Sequence, residues 1–153
     1  MTTRIDYSKA APDVFKAMLD LEAGVRRSGL EHAMLELVKT RASQINGCAY
    51  CLDMHSKDAR AAGETEQRLY LLSAWRETAF YSPRERAALA WTEAVTQVSM
   101  SELSDTLYAE VREHFNEKEI VELTLAIIAI NGWNRLAIAF RPHVGSYVAK
   151  SIE

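Results

Sequence analysis

The chain has 153 residues, 48% of them hydrophobic and 25% charged, and a formal net charge of −3. That length suits one domain with an ordinary core and no need of metal or disulfide staples, and the composition is that of an average soluble protein. The weak negative charge excludes the basic footprint of a nucleic-acid binder.

From the N-terminus, Met1-Thr2-Thr3-Arg4-Ile5-Asp6 has no apolar run behind its positive charge, so no export signal is expected. The first helix is expected from Pro12, with Val14, Met18, Leu21 and Val25 as its inner stripe and Gly29 after it. A second should run from about Glu31 to Asn46, with Met34, Leu37, Val38, Ala42 and Ile45 inward. Gly47 suits the left-handed residue that closes it. A third starts at or near Cys48 and stops before Gly63, and a fourth covers about Thr65 to Leu72 and can continue past Trp75. Ser82-Pro83-Arg84-Glu85 combines a cap, a first-turn proline and a reciprocal glutamate. The helix it opens should carry Leu89, Trp91, Ala94, Val95 and Val98. Ser104 caps the next, with Leu107, Val111 and Phe115 inward.

Asn116-Glu117-Lys118-Glu119 is a second capping box, and it opens the longest helix, to about Phe140. Its most apolar stretch, Leu123 to Ile130, is too short to span a bilayer. From Leu123 to Ala139 it is apolar nearly all round, which predicts burial on more than one face. No run alternates apolar and polar residues as a strand would. The expectation is a single all-α domain over residues 1–153, cytoplasmic, without a membrane or nucleic-acid partner, and oligomeric because a monomer has little room to cover that helix.

Only two cysteines exist, Cys48 and Cys51, and without a secretory signal a redox or metal role is favoured over a stapling framework. If Cys48 begins a helix, unpaired N–H groups and the positive end of the helix dipole lie close to the sulfurs and favour thiolate. The spacing puts both sulfurs on one face, close enough to bond. His55 follows Cys51 by four residues and shares that stripe, where an imidazole can move a proton to or from sulfur or a leaving oxygen. Glu36, on the preceding helix, could reach the same place if the two helices form a hairpin around Gly47, and a carboxylate facing inward there needs a partner. The competing readings are two small buried hydrophobes, or a zinc site using Cys48, Cys51 and His55 with Glu36 or another histidine as fourth ligand. His32, His114, His143, Trp133 and Arg135 show no supporting pattern and are read as structural.

Glu36, the run Lys39-Thr40-Arg41-Ala42-Ser43-Gln44-Ile45-Asn46-Gly47-Cys48-Ala49-Tyr50-Cys51, then His55 and Gly63, resembles the alkylhydroperoxidase D-like family of the carboxymuconolactone decarboxylase superfamily. Asn131-Gly132-Trp133-Asn134-Arg135-Leu136 is similar to a segment common in one branch of it. The resemblance implies a compact multi-helix subunit assembled into trimers or hexamers. It implies peroxide reduction by a cysteine pair that an external dithiol recycles, with no metal or organic cofactor. Carried over, Cys51 matches the peroxide-attacking cysteine, Cys48 the resolving one, and His55 and Glu36 members of the proton relay. The helix-dipole argument alone favours Cys48 as the more acidic thiol.

One position departs. The best-studied type has a second histidine directly before the second cysteine, where this chain has Tyr50. A phenol titrates near ~10 and is a poor proton acceptor at neutral pH, so the relay is shorter. The decarboxylase branch typically lacks the cysteine pair. The expected activity is therefore that of a cysteine-based peroxidase or thiol-disulfide oxidoreductase acting on a hydroperoxide and a dithiol. The alternative is a non-catalytic helical oligomer that uses the pair as a redox sensor or structural zinc clip.

Overall fold

The computed structural model describes residues 2–100 and 102–149, and among these every regular element is helical. The order is α1 (Tyr7–Ala10), α2 (Pro12–Arg26), α3 (His32–Asn46), α4 (Ala49–Ala61), α5 (Glu66–Leu71), a 3-10 segment (Leu72–Glu77), α6 (Pro83–Thr96), α7 (Asp105–Arg112) and α8 (Glu117–Phe140). Side-chain caps open most of them. Ser82 with Glu85 and Asn116 with Glu119 form the two expected reciprocal boxes. Thr65 and Ser104 accept from the third N–H of α5 and α7.

At the centre lies α3, packed against α4, α6 and α8. Its residues 34–40 are all buried, on every face of the helix. The inner stripe of α8 is Ile120, Leu123, Ile127, Ile130, Asn134 and Ala137, alternating three and four residues apart. Burying each of its large aliphatic side chains stabilises the fold by about 1.5–3 kcal/mol. By length and composition α8 is long and apolar enough to cross a membrane. Its placement against α3, α2 and α6 is that of a core helix. Within this one chain, however, Val121, Leu125, Ile128 and Ile138 of α8 remain 40–57% exposed.

Two sequence expectations are corrected by packing, and a third, the continuation past Leu72, is met with a change of helix type. Val14 lies outside the core at 74% exposure; Phe15 takes the inward role instead, its ring against Tyr7 and edge-on to Trp133. Val98 falls beyond the end of α6 and is exposed, so it lies outside the core. The segment past Leu72 continues as a 3-10 helix with a non-helical Ala74, which lets Trp75 reach the core with Leu37 and Leu89. The short α1, capped by Asp6, was not legible in the apolar pattern because it buries nothing fully.

The Asn131-to-Leu136 segment is a polar clamp. Asn46 donates to Asn131 Oδ1 at 3.0 Å and Asn134 Oδ1 at 2.8 Å, and Asn134 donates to Ser43 Oγ at 3.0 Å. These bonds tie the last turn of α3 to α8, directly before Gly47 turns the chain into the cysteines. A Cβ at Gly132 would lie 2.8 Å from Met18 Cε, so a side chain there would displace the end of that methionine.

Candidate functional site

The site is built at the α3–α4 hairpin. Gly47 closes α3 in the left-handed conformation (φ 67°) that glycine adopts without strain. Cys48 then caps α4, its Sγ accepting the Cys51 N–H at 3.3 Å. That contact realises the helix-terminus effect, because the partial positive charge of the Cys51 N–H lies against the Cys48 sulfur. Cys48 and Cys51 are bonded to each other, their Cα atoms 5.4 Å apart. Both are 1% exposed and pack with Ala42, Ile130, Ala137, Tyr50 and Trp133.

The hairpin brings Glu36 to His55, as the spacing suggested. Glu36 Oε2 lies 2.8 Å from His55 Nδ1, and both side chains are almost wholly enclosed. Burial pushes the Glu36 carboxyl up, but the hydrogen bond and charge of His55, with Lys39 and His32 adding, outweigh it and hold the group below its ordinary value. Glu36 is therefore a carboxylate that fixes the imidazole's orientation, with Nδ1 turned toward it and Nε2 toward the opposite side. His55 Nε2 is buried and makes no hydrogen bond with any described residue. It lies on the helix stripe that carries Cys51 four residues earlier.

Other polar groups were missed by sequence reading. His32 precedes Glu36 by one helical turn, and its Nε2 lies 3.7 Å from Glu36 Oε1. Being 53% exposed, it connects the buried carboxylate to solvent. The signal was its i, i+4 spacing to Glu36. Lys39 is 1% exposed and its ammonium reaches Glu22 Oε1 of α2 at 2.5 Å. Glu22 also accepts from Arg26 and from Trp133 Nε1. Nothing in the pattern of α2 marks Glu22 as half of an internal ion pair.

Beyond α8 the chain crosses α4. Lys57 Nζ donates to Tyr147 O at 2.9 Å, and Tyr147 Oη donates to Asp58 Oδ1 at 2.7 Å. Burial, followed by the Asp58 hydrogen bond and charge, pushes the Tyr147 phenol up to about 12, so it stays protonated as the donor. Glu36, His55 and Asp58 offer donor atoms within 4.8 Å of one another and could hold a cation. The zinc arrangement considered from sequence needs both thiolates, which the disulfide consumes in this oxidised form.

Acid should weaken this core. In Glu22, as in Glu36, burial pushes the carboxyl up but the neighbouring cations win, Lys39 first, and hold it low. A depressed folded-state pKa contributes stability that is fully present above the unfolded value, near 4.5, and is lost as pH falls through the folded value. For these two groups, urea unfolding monitored by circular dichroism should show no acid-dependent loss down to about pH 5 and a progressive loss below 4.5. Stability constant to pH 3 would contradict the carboxylate assignments.

Comparison with known proteins places this geometry. Residues 12–94 match the model of the carboxymuconolactone decarboxylase family. The uncharacterised protein YdfG of Bacillus subtilis is 48% identical over 139 residues, which is 91% of this chain and 95% of that protein. A crystal structure from Agrobacterium tumefaciens, of a protein of unknown function whose name relates it to the antioxidant defence protein AhpD, superposes with a TM-score of 0.92 at 48% identity. It covers 95% of this chain and 100% of the other. An uncharacterised peroxidase-related protein from Silicibacter gives 0.74 at 27% identity, over 88% and 70%. With its cysteine pair set at the start of α4, the chain belongs to the carboxymuconolactone decarboxylase family and is one of its alkylhydroperoxidase D-like members.

Proposed function

We propose that this protein reduces hydroperoxides through Cys48 and Cys51 in the cytoplasm and is recycled by an external dithiol. The observation that carries the reading is the buried Glu36–His55 pair on the same helical stripe as a cysteine pair that has formed a disulfide. In the reduced protein the Cys51 thiolate attacks one oxygen of the hydroperoxide. The O–O bond breaks, the alcohol leaves with a proton from His55, and Cys51 becomes a sulfenic acid. Cys48 attacks that sulfur, water leaves, and the Cys48–Cys51 bond forms. Two thiols of the donor then reduce it and leave as a disulfide. Glu36 acts through His55, holding the ring and stabilising the imidazolium. Tyr50, half-buried beside the sulfurs, takes no proton in this scheme.

The test is turnover. Reduced protein with an organic hydroperoxide and excess dithiol should consume peroxide catalytically, and Cys51→Ser should abolish that. Stoichiometric oxidation to the disulfide without turnover would leave a redox sensor, and tightly bound zinc with no peroxide reaction would favour the clip.

The same reading includes assembly into a trimer or hexamer. Val121, Leu125 and Ile128 give α8 an exposed apolar stripe, and soluble monomers rarely leave a large contiguous patch uncovered. Sedimentation at micromolar concentration should show a species larger than a dimer, and Leu125→Glu should shift it toward the subunit. A single 17.2 kDa species for the unaltered chain would refute this.

A further inference from the structure

One wall of the cysteine site is open, and its chemistry is lopsided. A cleft of about 490 Å³ lies between the start of α4 and the chain leaving α8. Of the two cysteines, Cys48 lines it and Cys51 does not. Tyr50, Ile138, Pro142 and Val144 give it apolar sides, and Arg141 and His143 are its ionisable basic groups. No aspartate or glutamate lines it.

Arg141 is unusual in two independent ways. It adopts a left-handed backbone (φ 55°), the position after a helix where glycine fits without cost, and it is the non-glycine among the described residues to do so. A side chain kept in such a conformation points to a role for that side chain. Arg141 is half-buried as a residue, and its guanidinium makes no ion pair or hydrogen bond with any described residue. The other half-buried arginines, Arg41, Arg68, Arg84, Arg86 and Arg112, all hold carboxylates or carbonyls. An unpartnered guanidinium in an apolar cleft suits a planar anion, which it binds through two parallel hydrogen bonds.

We propose that this cleft is the reductant site, and that it selects a small thiol carrying a carboxylate on an apolar chain. The inference rests on the redox reading of the cysteine pair. The molecule that meets the oxidised protein is the reductant, and in this oxidised form Cys48, only 1% exposed, forms part of the cleft floor, whereas Cys51 does not line it. The carboxylate pairs with Arg141, and the methylene chain lies along Ile138, Pro142 and Val144. The incoming thiolate attacks Cys48 Sγ, the Sγ–Sγ bond breaks, and the electron pair leaves on Cys51, on the helical stripe it shares with His55, where the new thiolate takes up a proton. A second thiol then attacks the mixed disulfide at the reductant's sulfur, releasing the oxidised reductant and a Cys48 thiolate, which takes up a proton from solvent.

The test compares 6-mercaptohexanoate with 6-mercaptohexanol, thiols of matched length that differ in charge. Their rates of reducing the Cys48–Cys51 bond are each normalised to their rate with a small model disulfide. The wild-type protein should favour the carboxylate by roughly fivefold to tenfold, the size of effect one charge-assisted contact supplies. Arg141→Met should remove the preference, and Arg141→Lys should keep part of it. Both variants place the same backbone demand on residue 141, so folding is matched. Rapid acid quench and alkylation should find the mixed disulfide on Cys48. Equal rates in the wild type, a preference that survives Arg141→Met, or an adduct on Cys51 would each overturn the proposal. Because the assay reads only reduction of the disulfide, peroxide oxidation of the reduced protein, measured separately, reports on the underlying reading.

Discussion

Replacing His55 with alanine is expected to slow peroxide consumption by roughly 10²-fold or more, the usual size of a general acid-base contribution. The reasoning is positional. Glu36 holds Nδ1 at 2.8 Å, which leaves the buried Nε2 as the atom able to deliver a proton. Loss of the ring removes the proton donor to the leaving alcohol and leaves Glu36 as a buried carboxylate without its hydrogen-bonded partner. Glu36→Gln keeps the shape and the acceptor oxygen but removes the charge, so its effect on rate should run in the same direction and be smaller. Stopped-flow measurement of peroxide loss separates these outcomes. An unchanged rate in His55→Ala, with the disulfide still forming at the wild-type rate, would make His55 a packing residue.

The largest effect on stability should come from outside the relay. Lys39 is fully enclosed and its charge is held by Glu22, itself anchored by Trp133 and Arg26. Breaking a buried pair by removing one partner typically costs 3–5 kcal/mol, because the remaining charge is left in a medium that solvates it poorly. Glu22→Ala should therefore destabilise the fold by about that amount and lower the thermal midpoint by roughly 10 °C. Removing both charges with Glu22→Gln and Lys39→Met together should cost less than Glu22→Ala alone, since no uncompensated charge stays inside. Thermal and urea unfolding of the three variants measures this directly. A loss under about 1 kcal/mol in Glu22→Ala would show that Lys39 pairs instead with Glu36, on which its charge already acts.

Much of the architecture is legible along the chain because local signals are strong where helices start and stop. The boxes at Ser82 and Asn116, the glycine after Asn46 and the apolar spacing in α3 and α8 each correspond to an observed boundary or face. The Glu36–His55 contact was also within reach, because a hairpin at Gly47 brings residues before the turn beside residues after it. What sequence could not supply were contacts set by distant packing. Val14 looks like a core residue by spacing, yet the ring contact of Phe15 with Trp133 turns that face of α2 outward. Lys39 reads as a surface lysine until its Glu22 partner, 17 residues away on another helix, is in place. Arg141 and His143 have no periodic pattern at all. They lie after the last helix, and only the return of that segment across α4 carries them to Cys48. Trp133 and Arg135 read as structural residues, and the clamp of their neighbours Asn131 and Asn134 on Asn46 explains why two asparagines sit in the most apolar helix of the chain.

The central claim is that Cys51 attacks the peroxide and Cys48 resolves the product. It is tested most directly by trapping the first intermediate. Reduced Cys48→Ser protein, given a stoichiometric amount of organic hydroperoxide and a sulfenic-acid trapping reagent, should carry one adduct, on Cys51, by peptide mass spectrometry. The matching Cys51→Ser protein should carry little or none on Cys48 over the same interval. An adduct that forms on Cys48 in the second variant while Cys51 stays unmodified in the first would contradict the account and make the helix-capping sulfur the nucleophile.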